Sequence, residues 1–245
     1  MKRQMQIRIL AVSLLVGAGC IAWAQNRSSS PAVKVTAHME MSHPPASSNK
    51  YAHALPPAVL WLKPLTPGIV ISTAGSPKSV YTLLQKDKMF SPHLLVVPTG
   101  SVVHFPNADP FFHNVFSLFN GQRFDLGLYE AGKMKTVMFS REGVSYIFCN
   151  IHSDMSAVIL SLSTPFYSIA DAQGTFHIDG LPVGEYELHV WVEGEQQSTL
   201  DQWTRRVSIS NGNQDLGPIS VHPPAAVHHA NKFGQAYDPA AKPVY

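Results

Sequence analysis

The side chains best suited to chemistry stand close together in YIFCNIHSDM, residues 146–155. Cys149 is followed at regular intervals by His152 and Met155, which places a thiolate, an imidazole and a thioether on one short segment. A second imidazole, His113, sits on an earlier loop, in PNADPFFHNVFS (106–117). Two imidazoles, one thiolate and one thioether form the donor set of a copper electron-transfer site. The sulfur donors suit Cu(I) and the nitrogen donors suit Cu(II). Zinc favours a closed tetrahedral set without a thioether, so Met155 argues against it. Iron–sulfur clusters need more cysteines than the two in this chain. Two other readings of Cys149 exist. One is a buried structural thiol. The other is a nucleophile with His113 as its base, but no acyl-transfer signature surrounds it.

Compartment decides what a lone thiol can be. The chain opens MKRQMQIRILAVSLLVGAGCIAWAQ, with a basic start (Lys2, Arg3, Arg8), an apolar run and the small-x-small trio Ala22, Trp23, Ala24. Residues 1–24 therefore read as a secretory signal, cleaved before Gln25. The apolar run is short for a membrane span. A rival reading puts a lipid anchor on Cys20, but Gly17 stands where lipoprotein signals usually carry a larger aliphatic residue. Cleavage removes three of the 18 basic residues and none of the 16 acidic ones, turning a net charge of +2 into −1. No basic cluster remains to recognise nucleic acid. Cleavage also removes Cys20, so Cys149 lacks an internal disulfide partner in an oxidising compartment. The expected location is outside the inner membrane, in the periplasm.

The elements that must position these donors are strands. Short runs rich in β-branched and aromatic residues recur at AVLWLKPL (58–65), HLLVVP (93–98), SVVHFP (101–106), KTVMFS (135–140), VSYIFCN (144–150) and SAVILSLS (156–163). Gly, Pro and Asn punctuate them, and no long helical period occurs. In the Cys149 strand, Val144, Tyr146 and Phe148 face one way and Ser145, Ile147 and Cys149 the other. Residues 150–155 then form a tight loop at one end of a sandwich. After Ser163, DAQGTFHIDGLPVGEYELHVW (171–191) reads as strands joined by two explicit turns. Segment 25–50 reads as a flexible linker, although VKVTAHM within it could make one strand, and 221–245 as an irregular tail. The His/Met stretch His38, Met39, Met41, His43 belongs to that linker. The expected division is a first unit over 51–163 and a second over 164–220.

His113-Asn114, followed by FCNIHSDM behind a REGVSYIF strand, resembles the cupredoxin family, which includes plastocyanin and amicyanin. The Cys-x-x-His-x-x-Met spacing is similar to the short ligand loop of amicyanin. The resemblance implies a Greek-key β-sandwich holding one type 1 copper, with His113, Cys149 and His152 as equatorial ligands and Met155 as the weak axial one. It also implies that Asn114 ties the two ligand segments together, and that a redox partner docks transiently near His152. Two departures stand out: Ser153-Asp154 replaces the usual proline-containing stretch, and segment 120–132 has no place in a minimal cupredoxin. The second unit resembles a carboxypeptidase-regulatory-like, transthyretin-type β-sandwich through its Asp-x-x-Gly-x-Phe and Gly-Leu-Pro-x-Gly-x-Tyr turns. If that unit draws its first strand from VLWLKPL, the cupredoxin is an insertion within it.

The expected fold is thus all-β, with two sandwiches. The expected function is single-electron transport without catalysis. Copper handling or sensing, and a structural role in the cell envelope, are the alternatives. A second copper of the type 2 kind is not expected, because no further histidine cluster lies in the strand-rich region.

Overall fold

The computed structural model describes residues 33–42, 55–69, 80–118, 120–222 and 230–237. Seventeen strands and one seven-residue helix occur among them. In chain order the strands are β1 (Val33–Met41), β2 (Ala58–Pro64), β3 (Tyr81–Thr82), β4 (Leu84–Lys86), β5 (Met89–Ser91) and β6 (Leu94–Pro98). Then come β7 (Ser101–Pro106), β8 (His113–Ser117), β9 (Phe124–Tyr129), β10 (Met134–Phe139), β11 (Gly143–Cys149) and β12 (Ser156–Leu162). The last are β13 (Tyr167–Ile169), β14 (Thr175–Leu181), β15 (Gly184–Val192), β16 (Arg205–Ile209) and β17 (Gln214–Val221), with the helix α1 (Gln197–Trp203) between β15 and β16.

Two sandwiches result. The first pairs a five-stranded sheet, β6-β12-β11-β8-β9, with a three-stranded sheet, β10-β7-β3. Within it β7 pairs with β10 and β8 with β11, each across two intervening strands, which is Greek-key connectivity. The second pairs β14-β1-β17 with β13-β2-β15-β16. Alternation explains the layers. On β11, Ser145, Ile147 and Cys149 are fully buried in the first sandwich. Val144 and Tyr146, on the opposite face, pack against the core of the second. The neighbouring strand β12 is buried on both faces: Ala157 and Ile159 point into the first core, Val158, Leu160 and Leu162 into the second. Hence the five-stranded sheet carries apolar side chains on both faces and is covered on both.

The contact between the sandwiches is also polar at its rim. Trp191 Nε1 donates to the Tyr146 hydroxyl at 3.3 Å. Lys63 meets Glu142 at 2.7 Å and His93 meets Glu193 at 2.7 Å.

Two expected boundaries are corrected. Residues 33–41, expected within a linker, form β1, hydrogen-bonded antiparallel to β14 and parallel to β17. The physical reason is its alternation: Val33, Val35, Ala37 and Met39 are all buried, so the strand supplies one face of a core. Met39 is therefore not a free thioether, and His38 lies beside Glu40 at 3.1 Å. Likewise β2, expected in the first unit, runs between β13 and β15. The first sandwich thus occupies the chain between β2 and β13 of the second. Segment 120–132 also acquires a place: it contains β9, the edge strand beside β8. Of the expected tail, residues 230–237 form a hydrogen-bonded turn. Residues 1–24 lie outside the described residues, as do His43, His228 and His229.

Candidate metal centre

β11 ends at Cys149, and β12 begins at Ser156 antiparallel to it. The loop between them is closed by its own backbone. Cys149 N–H donates to the Met155 carbonyl at 3.1 Å and Met155 N–H to the His152 carbonyl at 3.2 Å. That closure turns the ring of His152 back toward the Cys149 sulfur. On the adjacent strand β8, Val115 pairs with Cys149, which puts His113 at the same end of the sheet.

His113, Cys149 and His152 accordingly converge, with their donor atoms within 4.8 Å of one another. Cys149 Sγ lies 3.6 Å from His113 Nδ1 and 3.5 Å from His152 Nδ1. Metal bonds of about 2.0–2.1 Å to nitrogen and about 2.3 Å to sulfur, meeting at about 110°, separate N from S by about 3.6 Å. The two sulfur–nitrogen separations therefore match those of donors sharing one ion. Met155 is 1% exposed and lies in the same apolar cluster as Cys149. Ser153 and Asp154 are exposed, so the Asp154 carboxylate is directed away from that cluster.

Electrostatics favour metal over proton. Burial pushes the His113 pKa down against the pull of Asp109. Burial, then the neighbouring His113 and Lys88, lower that of His152 to about 4. Both rings are neutral at pH 7 and offer lone pairs. Burial raises the Cys149 pKa, opposed by main-chain N–H groups of Asn114, Ile151 and His152. The thiol therefore keeps its proton until a metal displaces it, and the three N–H groups then meet the thiolate.

One contributor was invisible in the motif. Asp109 Oδ2 sits 2.9 Å from His113 Nε2. The same carboxylate accepts the N–H groups of Asp87 (2.7 Å) and Lys88 (3.0 Å). Those two residues form the β4–β5 turn with positive φ angles of 56° and 58°. Burial would raise the Asp109 pKa, but the hydrogen bonds from Lys88, His113 and Asp87 outweigh it and leave the group ionised. A carboxylate on Nε2 fixes the tautomer that leaves Nδ1 free to coordinate.

The expected tie through Asn114 is made by its main chain. Its main-chain carbonyl accepts the Asn150 N–H at 2.9 Å and so does tie the two segments. Its side chain donates instead to Asp125 Oδ1 at 2.8 Å. His152 is half-buried, its Nε2 has no hydrogen-bond partner, and its ring packs against Phe111 at 5.6 Å between centroids.

Comparison of the sequence with protein-family models and with curated proteins gives no match. Solved structures do match over part of the chain. A Cu-containing nitrite reductase from Thermus scotoductus SA-01 is 22% identical over 34% of this chain, with a TM-score of 0.33. This chain spans only 22% of the reductase's length. A purple cupredoxin from Nitrosopumilus maritimus is 23% identical over 34% of this chain and 99% of its own, with a TM-score of 0.31. A reduced Cu(I) amicyanin variant is 15% identical over 37% of this chain and 89% of its own, with a TM-score of 0.33. Likeness at this level concerns the β-sandwich alone, and the reading of the site rests on its donor atoms. The expectation that the chain is not an enzyme is corrected here. One structure that matches part of the chain is a nitrite reductase, so the comparisons leave the non-enzyme expectation unsupported.

Proposed function

We propose that this chain is an exported type 1 copper protein that carries single electrons. His113, Cys149 and His152 are its equatorial ligands and Met155 its axial one. The observation that supports this reading is the convergence of two neutral imidazole Nδ1 atoms on one buried thiol at 3.5 and 3.6 Å. Copper held there would supply Cu(I)/Cu(II) cycling. The chain's own part is to keep the donors in one arrangement for both oxidation states. The backbone-closed loop fixes Cys149 and His152, Asp109 fixes His113, and the apolar cluster excludes water.

The signal-like residues 1–24 support export, with the periplasm as the destination. A redox partner meets the face around His152, beside a loop whose Phe112 is 38% exposed. A small, weak interface suits such an exchange. The turns within 171–191 support reading the second sandwich as a carboxypeptidase-regulatory-like module that carries the copper unit between its strands.

Adding Cu(II) to the purified chain should give an intense visible thiolate-to-copper absorption, saturating at one copper per chain. Cys149→Ser should abolish that absorption. A colourless Cu(II) complex, or a band that survives the substitution, contradicts the reading.

A further inference from the structure

Residues 230–237 lie more than 80 positions beyond Cys149, yet they contact the ligand-bearing segments at three points. The Tyr237 hydroxyl donates to the main-chain carbonyl of Cys149 at 2.6 Å. The Lys232 N–H donates to Asn150 Oδ1 at 2.8 Å, and Lys232 Nζ lies 2.9 Å from Asp125 Oδ2. Asp125 in turn holds the side chain of Asn114, the neighbour of His113. The segment therefore touches both the Cys149 loop and the support of the His113 strand.

Its own conformation is locally determined. Asn231 Oδ1 accepts the N–H groups of Phe233 (2.9 Å) and Gln235 (3.0 Å), and the Asn231 N–H donates to the Gln235 carbonyl at 2.8 Å. Gly234, at φ +78°, allows the chain to reverse there. A side chain that hydrogen-bonds its own backbone in this way makes a compact turn. Such a turn presents Lys232 and Tyr237 with little further ordering cost.

We propose that residues 230–237 form a strap that holds the copper loop closed and sets how slowly the metal is released. Tyr237 and Lys232 act in it as positioning residues. The proposal rests on the copper reading above. Without the strap, the 150–155 loop is held by the two backbone bonds to Met155 and by Asn150 on Asn114. Release of an ion bonded to both Cys149 and His152 requires that loop to open locally, and each bond holding it closed lowers the open population. Tyr237 anchors the carbonyl of the residue that supplies the sulfur, so its loss acts on the loop without removing a ligand.

The deciding comparison uses the copper-loaded full chain and Tyr237→Phe, with a chain ending after residue 229 as a second variant. Each is reduced and mixed with bathocuproine disulfonate, and transfer of Cu(I) is timed. Loss of one hydrogen bond should speed transfer about five- to tenfold, and the truncated chain should be at least as fast. The position of the thiolate-to-copper band should not move in Tyr237→Phe. Equal transfer rates in parent and both variants overturn the strap. A parent chain that forms no such band overturns the copper reading instead. In that event amide exchange across 149–155 of the metal-free chain decides: exchange raised about five- to tenfold by Tyr237→Phe upholds the strap, and unchanged exchange overturns it.

Discussion

At the scale of single residues, the site is a division of labour between donors and the groups that hold them. The convergence of His113, Cys149 and His152 was legible because their chemistry is rare in combination. A lone thiol with His and Met at three-residue spacing has few competing explanations, and His113 completed the set from a separate segment. Asp109 was not legible, because a carboxylate in PNADPFFH has many ordinary uses in a loop. What distinguishes it is spatial: the β4–β5 turn directs two N–H groups at it and His113 supplies a third bond. Asp109→Asn keeps the size of the side chain but removes its charge. Cu(II) affinity should fall about ten- to a hundredfold, as is typical when an outer-shell partner of a metal-bound histidine is lost. Competition titration against a chelator of known affinity measures this directly. An unchanged affinity would remove Asp109 from the account.

At the scale of elements, strand pairing does the positioning. Most strands of the first sandwich were readable from alternation and β-branched content. Alternation did not give β3, β8, which carries His113 in a segment that reads as loop, or β9, nor the partners of β1 and β2. β9 was obscured by Gly121, Gly127 and Gly132, all with positive φ. Gly121 is the tightest of these: a Cβ there would lie 2.3 Å from Ser145 Oγ and 2.6 Å from the Val144 carbonyl oxygen. Ser145 Oγ also accepts the Gln122 N–H at 2.9 Å, so this corner joins the β9 approach to the ligand strand β11. Gly121→Ala should cost about 1–3 kcal/mol, from overpacking and left-handed strain together. Denaturant unfolding of the metal-free chain reads the loss as a lower midpoint. An unchanged midpoint would mean that this corner can relax.

At the scale of the whole molecule, the first and second sandwiches share a buried boundary. Pairing across distant chain segments has no local signature, so 33–41 read as linker and 58–64 as part of the first unit. The sequence offered VKVTAHM as one possible strand and VLWLKPL as a possible first strand of the second unit. The structure, which buries β12 from Ala157 to Leu162 under both layers, shows those strands in the second sandwich. One contact at the boundary's rim makes stability pH-dependent. The His93 ring bonds Glu193 of the other sandwich and the Ser156 carbonyl. Its pKa is raised, first by the Glu193 hydrogen bond. A histidine whose folded pKa exceeds its unfolded value of 6.5 contributes stability that is complete below that value. The contribution disappears as pH rises through the folded pKa. Both partners are partly exposed, so the effect should not exceed about 1 kcal/mol. That corresponds to a melting-temperature change of roughly 2–4 °C for a chain of this size. Glu193→Gln should lower the melting temperature at pH 6 and leave it unchanged at pH 9. Equal losses at both values would show that the contact acts through packing alone.

The central claim is that one copper ion is bonded to Cys149, His113 and His152 together. X-ray absorption of the copper-loaded chain at the copper edge tests it most directly. The account predicts one sulfur scatterer at about 2.1–2.3 Å and two imidazole nitrogens at about 2.0 Å, with the sulfur lost in Cys149→Ser. A first shell of nitrogen and oxygen alone in the unsubstituted chain would contradict it.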